Sequence, residues 1–303
     1  MNLDKLTNHY NFRWYLFYAL LYFSLIASFL LGENSTGGAI KDYINQKSIS
    51  LDFSNNFYVT FFDYEKYNTR HSPILPIFLS LFEKIQLNDF IIRFIHLNIC
   101  LILPIYFYKS LNLIINNKNI SFFLASLIFI SPTFRTLAIW PDSRLLGLTF
   151  FTISIYQFLK FQKKGKFSNC IKNIIFLSLA AYISPNFSLF AVFYFLNFVV
   201  HFKKNFKIII SIILLNVILS FPAFFYLFFL DNNFLSNAAV LNENSKSIFF
   251  LGNIPNNVLL ISSIIFFYLI PFLILKVFKL NFKKKFTFNI IISLVILYIC
   301  INY

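Results

Sequence analysis

The acids of this chain are few and unevenly placed. Of 11 Asp and Glu residues, Glu33, Asp42, Asp52, Asp63, Glu65, Glu83 and Asp89 crowd between residues 33 and 89. Asp142 stands in a short turn, Trp140-Pro141-Asp142-Ser143-Arg144. Asp42 follows Gly37-Gly38-Ala39-Ile40-Lys41, where paired glycines let the backbone turn tightly beside a ligand. A carboxylate there could take a proton from a hydroxyl; equally, it could cap a short helix. Asp142 could hold Mg²⁺ or Mn²⁺ against a phosphate, or simply pair with Arg144 at the surface. Arg135 and Arg144 could grip a phosphate through their guanidinium forks. Arg93 could bind substrate or extend to a membrane interface. His71, in His71-Ser72-Pro73, could contact substrate or cap the helix that follows. Asp52, Asp63 and Glu65 read as charges of a solvated loop. His9, His96 and His201 have no partners at metal-ligand spacing. Cys100, Cys170 and Cys300 form neither a disulfide framework nor a metal site. A phosphate-binding glycine loop, a nucleophile elbow and a zinc signature are all missing. ATP-driven transport and serine hydrolysis lose support accordingly.

The elements that must position these groups are apolar helices. Hydrophobic residues make up 58% of the chain and charged residues 12%, about half the share usual for a soluble domain. The expected fold is all-α, a polytopic transmembrane bundle of about nine spans at roughly 20 apolar residues each. The spans are placed at Trp14–Gly32, Phe90–Tyr108, Ile120–Trp140, Leu145–Leu159, Ile174–Ile183, Ser188–Phe202, Ile208–Leu230, Val258–Val277 and Phe286–Ile301. The first reads as a retained signal anchor, since no small-residue cleavage site accompanies it.

Charge fixes the orientation. With the amino terminus in the cytoplasm, Lys5 and Arg13, Lys109 and Lys118, the cluster Lys160 to Lys172, the cluster Lys203 to Lys207 and the cluster Lys276 to Lys285 all fall inside. Asp4 is then the single inner acid, as the positive-inside rule asks. The net charge of +15 therefore anchors loops and does not indicate nucleic acid. Ile74 to Phe82 is too short to span. It reads as a helix lying at the outer interface, headed by Pro73. Counting it as a span would turn every later lysine cluster outward.

The order of these pieces resembles the polyprenyl-phosphate-sugar-dependent membrane glycosyltransferases of GT-C type, in the dolichyl-phosphate-mannose mannosyltransferase and aminoarabinose-transferase-like branch. Four stretches carry the resemblance: Gly37 to Tyr43; His71 to Phe82; Asn88 to Phe94, with Arg93; and Ser131 to Arg135 followed by Asp142. It covers residues 1–166, a membrane module with its first outer loop at 33–89, and leaves 167–303 as additional transmembrane helices. It implies transfer of a sugar from a lipid-phosphate donor to a glycan, lipid or protein acceptor at the outer face of the cytoplasmic (inner) membrane. Asp42 would be the base, Asp142 the residue near a metal or the donor phosphate, and Glu33, His71, Arg93 and Arg144 substrate contacts. The branch often carries an Asp-Glu pair in this loop, whereas here Tyr43 follows Asp42, which leaves Glu33 as an alternative base. Two other classes compete. A flippase for lipid-linked sugars should carry charges within its spans, and these spans are almost uncharged. A polysaccharide polymerase would put its weight on the later outer segment Asp231 to Asn257, which is poor in charge.

Overall fold

The computed structural model describes residues 3–228 other than 36 and 70, together with 230, 259 and 262. Residues 1–238 form one compact unit and 239–303 a second. The expected spans at Val258–Val277 and Phe286–Ile301, and the segment Asp231 to Asn257, lie almost wholly outside the described residues. Among the described residues every regular element is helical.

In the first unit, helix α1 (Leu3–Leu31) leads through a turn at Gly37, whose φ of +79° suits glycine, into α2 (Ala39–Asn55). The buried face of α2, at Ala39, Tyr43, Gln46, Ile49, Ser50 and Phe53, recurs every three to four residues. Next come α3 (Phe57–Phe62), capped by the Asn56 side chain, and α4 (Ile74–Lys84). Leu75 and Leu79 of α4 join Tyr43 in one apolar cluster. Residues 33–89, expected to carry interfacial helices, hold three α-helices among the described residues, with α2 packed on both α3 and α4.

Helices α5 (Asp89–Cys100) and α6 (Ile102–Ile115) form a nearly continuous rod, capped at its start by Asn88. Helix α7 (Lys118–Ser126) continues through a 3-10 turn to Ile130, and α8 (Pro132–Ile139) follows after a bend of 63°. The sequence suggests one straight run here. Ser131 is extended and caps α8, and Pro132 supplies no N–H to continue the preceding turn. Helix α9 (Ser143–Lys164) begins at the Asp142 cap. It runs in the same direction as α5 and α6: His96 meets Ala138, just before the start of α9, and Tyr106 meets Tyr156 farther along it.

Helix α10 (Phe167–Ile183) returns along α9, held midway by the buried Asn173–Ser154 hydrogen bonds. Gly147 permits this approach, because a Cβ there would lie 2.9 Å from that of Ser184. Helices α11 (Phe190–His201) and α12 (Phe206–Phe228) complete the unit through an aromatic cluster around Phe158, Phe161, Tyr194 and Phe198.

Two described helical segments, Asp89–Ile115 and Phe206–Phe228, are long and apolar enough to cross a membrane; the bent pair 118–139 makes a third if it counts as one span. Helix α12 makes the point most clearly. Ile213, Leu214, Val217, Phe221 and Phe228 are all exposed on it. An apolar helix with so little of its surface covered by protein suits hydrocarbon surroundings.

Candidate active site

Three of the residues singled out from sequence meet at one place. The Asp142 side chain is 3% exposed and accepts from the backbone N–H groups of Arg144 and Leu145, which fixes the start of α9. Its two oxygens also take the Arg144 side chain: Nε lies 3.1 Å from both, and Nη2 lies 2.7 Å from Oδ2. The same Nη2 donates to Oδ2 of Asp42 at 2.9 Å. Asp42 does not cap α2, since Gly38 occupies that position. Residues 102 apart in sequence are joined because the glycine turn delivers the first turn of α2 to the first turn of α9.

Asp42 and Arg144 stand at one end of a groove of about 850 Å³. Its walls are the α8 residues Thr133, Phe134 and Leu137, the α6 residues Leu103, Phe107, Leu111 and Ile114, and an α9 stripe at Leu145, Leu148, Thr152, Ile155 and Leu159. The rise per residue of a helix makes the α9 wall from Arg144 to Leu159 about 22 Å long, two thirds or more of the roughly 30 Å hydrocarbon core of a bilayer. Asp42 and Arg144 are the charged residues lining it, and both are at that one end.

Glu33, Arg93 and His71 are not among its lining residues. Glu33 pairs with Arg135 at 2.9 Å. Arg135 in turn donates to Ser24, Ser28 and the Phe129 carbonyl. Burial alone would push the Glu33 carboxyl up, but hydrogen bonds from Ser28, Arg135 and Ser35, with the Arg135 charge, hold it below the usual carboxylate range. This pair ties α1 to α8. Arg93 lies over the Trp140 ring at 3.5 Å, and its Nε donates to the Ile139 carbonyl. Trp140 itself donates to the Glu33 carbonyl, so Arg93 braces the turn before Asp142. His71 Nδ1 lies 3.1 Å from Ser143 Oγ, directly beside Asp142 in the chain.

Sequence reasoning passed over two further groups. Ser143 is the partner of His71, and its place between Asp142 and Arg144 was the available signal. Tyr43 donates to Asp89 at 2.5 Å and Lys47 does so at 2.7 Å, which fastens α2 to α5. Burial first, and then the bond to Asp89, raises the Tyr43 hydroxyl above its ordinary value.

Comparison with protein-family models, with curated proteins and with solved structures returned no match. A carboxylate and a guanidinium at the end of an apolar groove can together hold a hydroxyl and a phosphate. A divalent ion suits this arrangement poorly. Both oxygens of Asp142 are taken by Arg144 and by backbone amides, while Mg²⁺ and Mn²⁺ need open oxygen ligands. Among the described residues no three His, Cys, Asp or Glu side chains converge on one point.

Proposed function

We propose that the chain is a multi-pass glycosyltransferase of the cytoplasmic membrane, with about nine spans, its amino terminus in the cytoplasm and its site at the outer face. It takes a sugar from a polyprenyl-phosphate-linked donor and passes it to a hydroxyl of a glycan, lipid or protein acceptor. The observation that carries this reading is the groove, apolar along its length and charged at one end by Asp42 and Arg144. A polyprenyl chain would lie along α6 and α9, with its phosphate at Arg144. The acceptor hydroxyl would donate to Asp42, whose carboxylate takes the proton as the oxygen attacks the sugar. Arg144 would stabilise the departing phosphate with a charged, directional donor. Asp142 positions Arg144 and caps α9. In this assignment α2 to α4 are the interfacial helices of the first outer loop. The lysines at the far end of α9, Lys163 and Lys164, would face the cytoplasm. A flippase needs a polar route through the bilayer, and the charges of this groove stay at one end.

The test is transfer from a radiolabelled polyprenyl-phosphate sugar in membranes containing the chain. Asp42→Asn is expected to lower the rate by about 10²-fold or more, the usual contribution of a general base. Wild-type transfer rates for both Asp42→Asn and Arg144→Gln at equal folded amounts would rule this assignment out.

A further inference from the structure

The Asp42–Arg144 contact has an uneven construction. Arg144 is held on one side by a carboxylate that cannot leave: Asp142 is 3% exposed, caps α9, and takes both Nε and Nη2. Asp42 holds it by one bond only, to a nitrogen already shared with Asp142, and the two side chains are 37% and 54% exposed. Nη1 of Arg144 makes no hydrogen bond among the described residues. An exposed ion pair of this kind is weak, because water screens it and both side chains lose freedom in making it. A fork with one closed edge and one open edge suits a second, planar or tetrahedral oxyanion. Among the described residues, the anion on that open edge is the Asp42 carboxylate, and it sits where the groove ends.

We propose that Asp42 stands on Arg144 in place of a phosphate. The phosphate of a lipid whose chain fills the groove binds Nη1 and Nη2, takes the Nη2 bond from Asp42, and so releases that carboxylate to accept from a hydroxyl. Donor binding thus frees the base. Before the lipid phosphate arrives, Asp42 is held by Arg144 and is poorly placed to take a proton; after it arrives, the carboxylate faces the groove end unpaired. This rests on the glycosyltransferase assignment for its purpose, but the exchange itself is a binding event that needs no sugar transfer to be seen.

The competition has a measurable sign. Asp42 lowers the apparent affinity for phosphate by the fraction of molecules in which it occupies Arg144. Titration of the purified full chain in lipid nanodiscs with farnesyl phosphate, farnesol and inorganic phosphate, followed by calorimetry, reads it directly. Asp42→Asn is expected to bind farnesyl phosphate about two- to fivefold more tightly than wild type, the worth of a weak exposed pair. Arg144→Gln should lose at least about tenfold, as expected for a charge-assisted hydrogen bond. Asp52→Asn removes the same charge farther along α2, where its partner is Tyr67, and should leave binding unchanged. Unchanged or weaker binding by Asp42→Asn overturns the proposal. So does equal tightening by Asp52→Asn, which would mean long-range charge alone. Inorganic phosphate binding as tightly as farnesyl phosphate overturns the lipid as its source. Carbodiimide footprinting of the wild-type chain supplies a check independent of variant folding: farnesyl phosphate should raise labelling of Asp42, and a fall contradicts release. Exchange without any sugar transfer would overturn the glycosyltransferase assignment alone. Transfer that depends on Asp42, without tighter phosphate binding by Asp42→Asn, would overturn the exchange alone.

Discussion

Two arginine–carboxylate pairs, one on α8 and one at the start of α9, are built in opposite ways. Arg135 is closed. Its Nε serves Glu33, Nη1 serves Ser24 and the Phe129 carbonyl, and Nη2 serves the Ser24 carbonyl and Ser28. Only 18% of its side chain is exposed. Arg144 is open, with Nη1 unused among the described residues and 54% of the side chain exposed. The types are the same, but the surroundings differ. A saturated guanidinium spends all its donors on the fold, here joining α1 to α8. One with a free edge keeps capacity for a ligand, provided something else fixes it, and Asp142 does that.

The comparison can be broken at either pair. The largest effect is expected at the open one. Arg144→Gln should reduce sugar transfer by about 10²-fold or more, within the range for loss of one electrostatic stabiliser of a transition state, while the amount of folded protein holds near wild type. A loss of folding equal to the loss of transfer would make Arg144 structural like its counterpart. The closed pair should answer in reverse. Arg135→Ala leaves the mostly buried Glu33 carboxylate without its partner, so it should destabilise the fold by about 2–4 kcal/mol. Transfer per folded molecule should stay within about twofold on the same comparison of rate and folded amount. Thermal unfolding in detergent beside transfer kinetics would read both quantities.

A smaller effect sharpens the contrast through pH. The Glu33 carboxyl is lowered in the folded chain, with hydrogen bonds and Arg135 outweighing burial. A lowered carboxyl adds stability that is present above its unfolded value and lost as pH falls through the folded one. Glu33→Gln should therefore be less stable than wild type at neutral pH by about 1 kcal/mol, the worth of a typical hydrogen bond. The gap should close as the solution is acidified below the ordinary carboxylate range. Unfolding midpoints of the two proteins across that range provide the check; a gap independent of pH would mean that the Glu33 charge contributes nothing.

Much of the frame was legible in the residues. Trp14 to Leu31 lies in α1, Phe90 to Tyr108 follows α5 and α6 across the break at Leu101, and Leu145 to Leu159 lies in α9. The glycines before Asp42 do make a turn, and the His71-Ser72-Pro73 segment does introduce a helix. What escaped the sequence has physical causes. Ile120 to Trp140 looks uniformly apolar, so hydropathy conceals the bend that Ser131 and Pro132 impose. Helix α6 is apolar over most of its surface, Lys109, Ser110 and Asn112 apart, so its pattern does not single out Leu103, Phe107 and Leu111 as a groove wall. Arg93 reads like a binding residue because it opens an apolar run, but a nearby indole takes its charge. Glu33 reads as an alternative base, but its partner lies 102 residues away. Long-range pairing decides which acid is spent on the fold, and spacing along the chain does not reveal it.

The central claim is that the open pair, not the closed one, is where chemistry occurs. The most direct measurement is the initial rate of sugar transfer from radiolabelled polyprenyl-phosphate donor, per folded molecule, for Asp42→Asn beside Glu33→Gln. Loss of about 10²-fold or more for Asp42→Asn, with a near wild-type rate for Glu33→Gln, is the predicted result. The reverse ranking, or two rates equal to wild type, would contradict it.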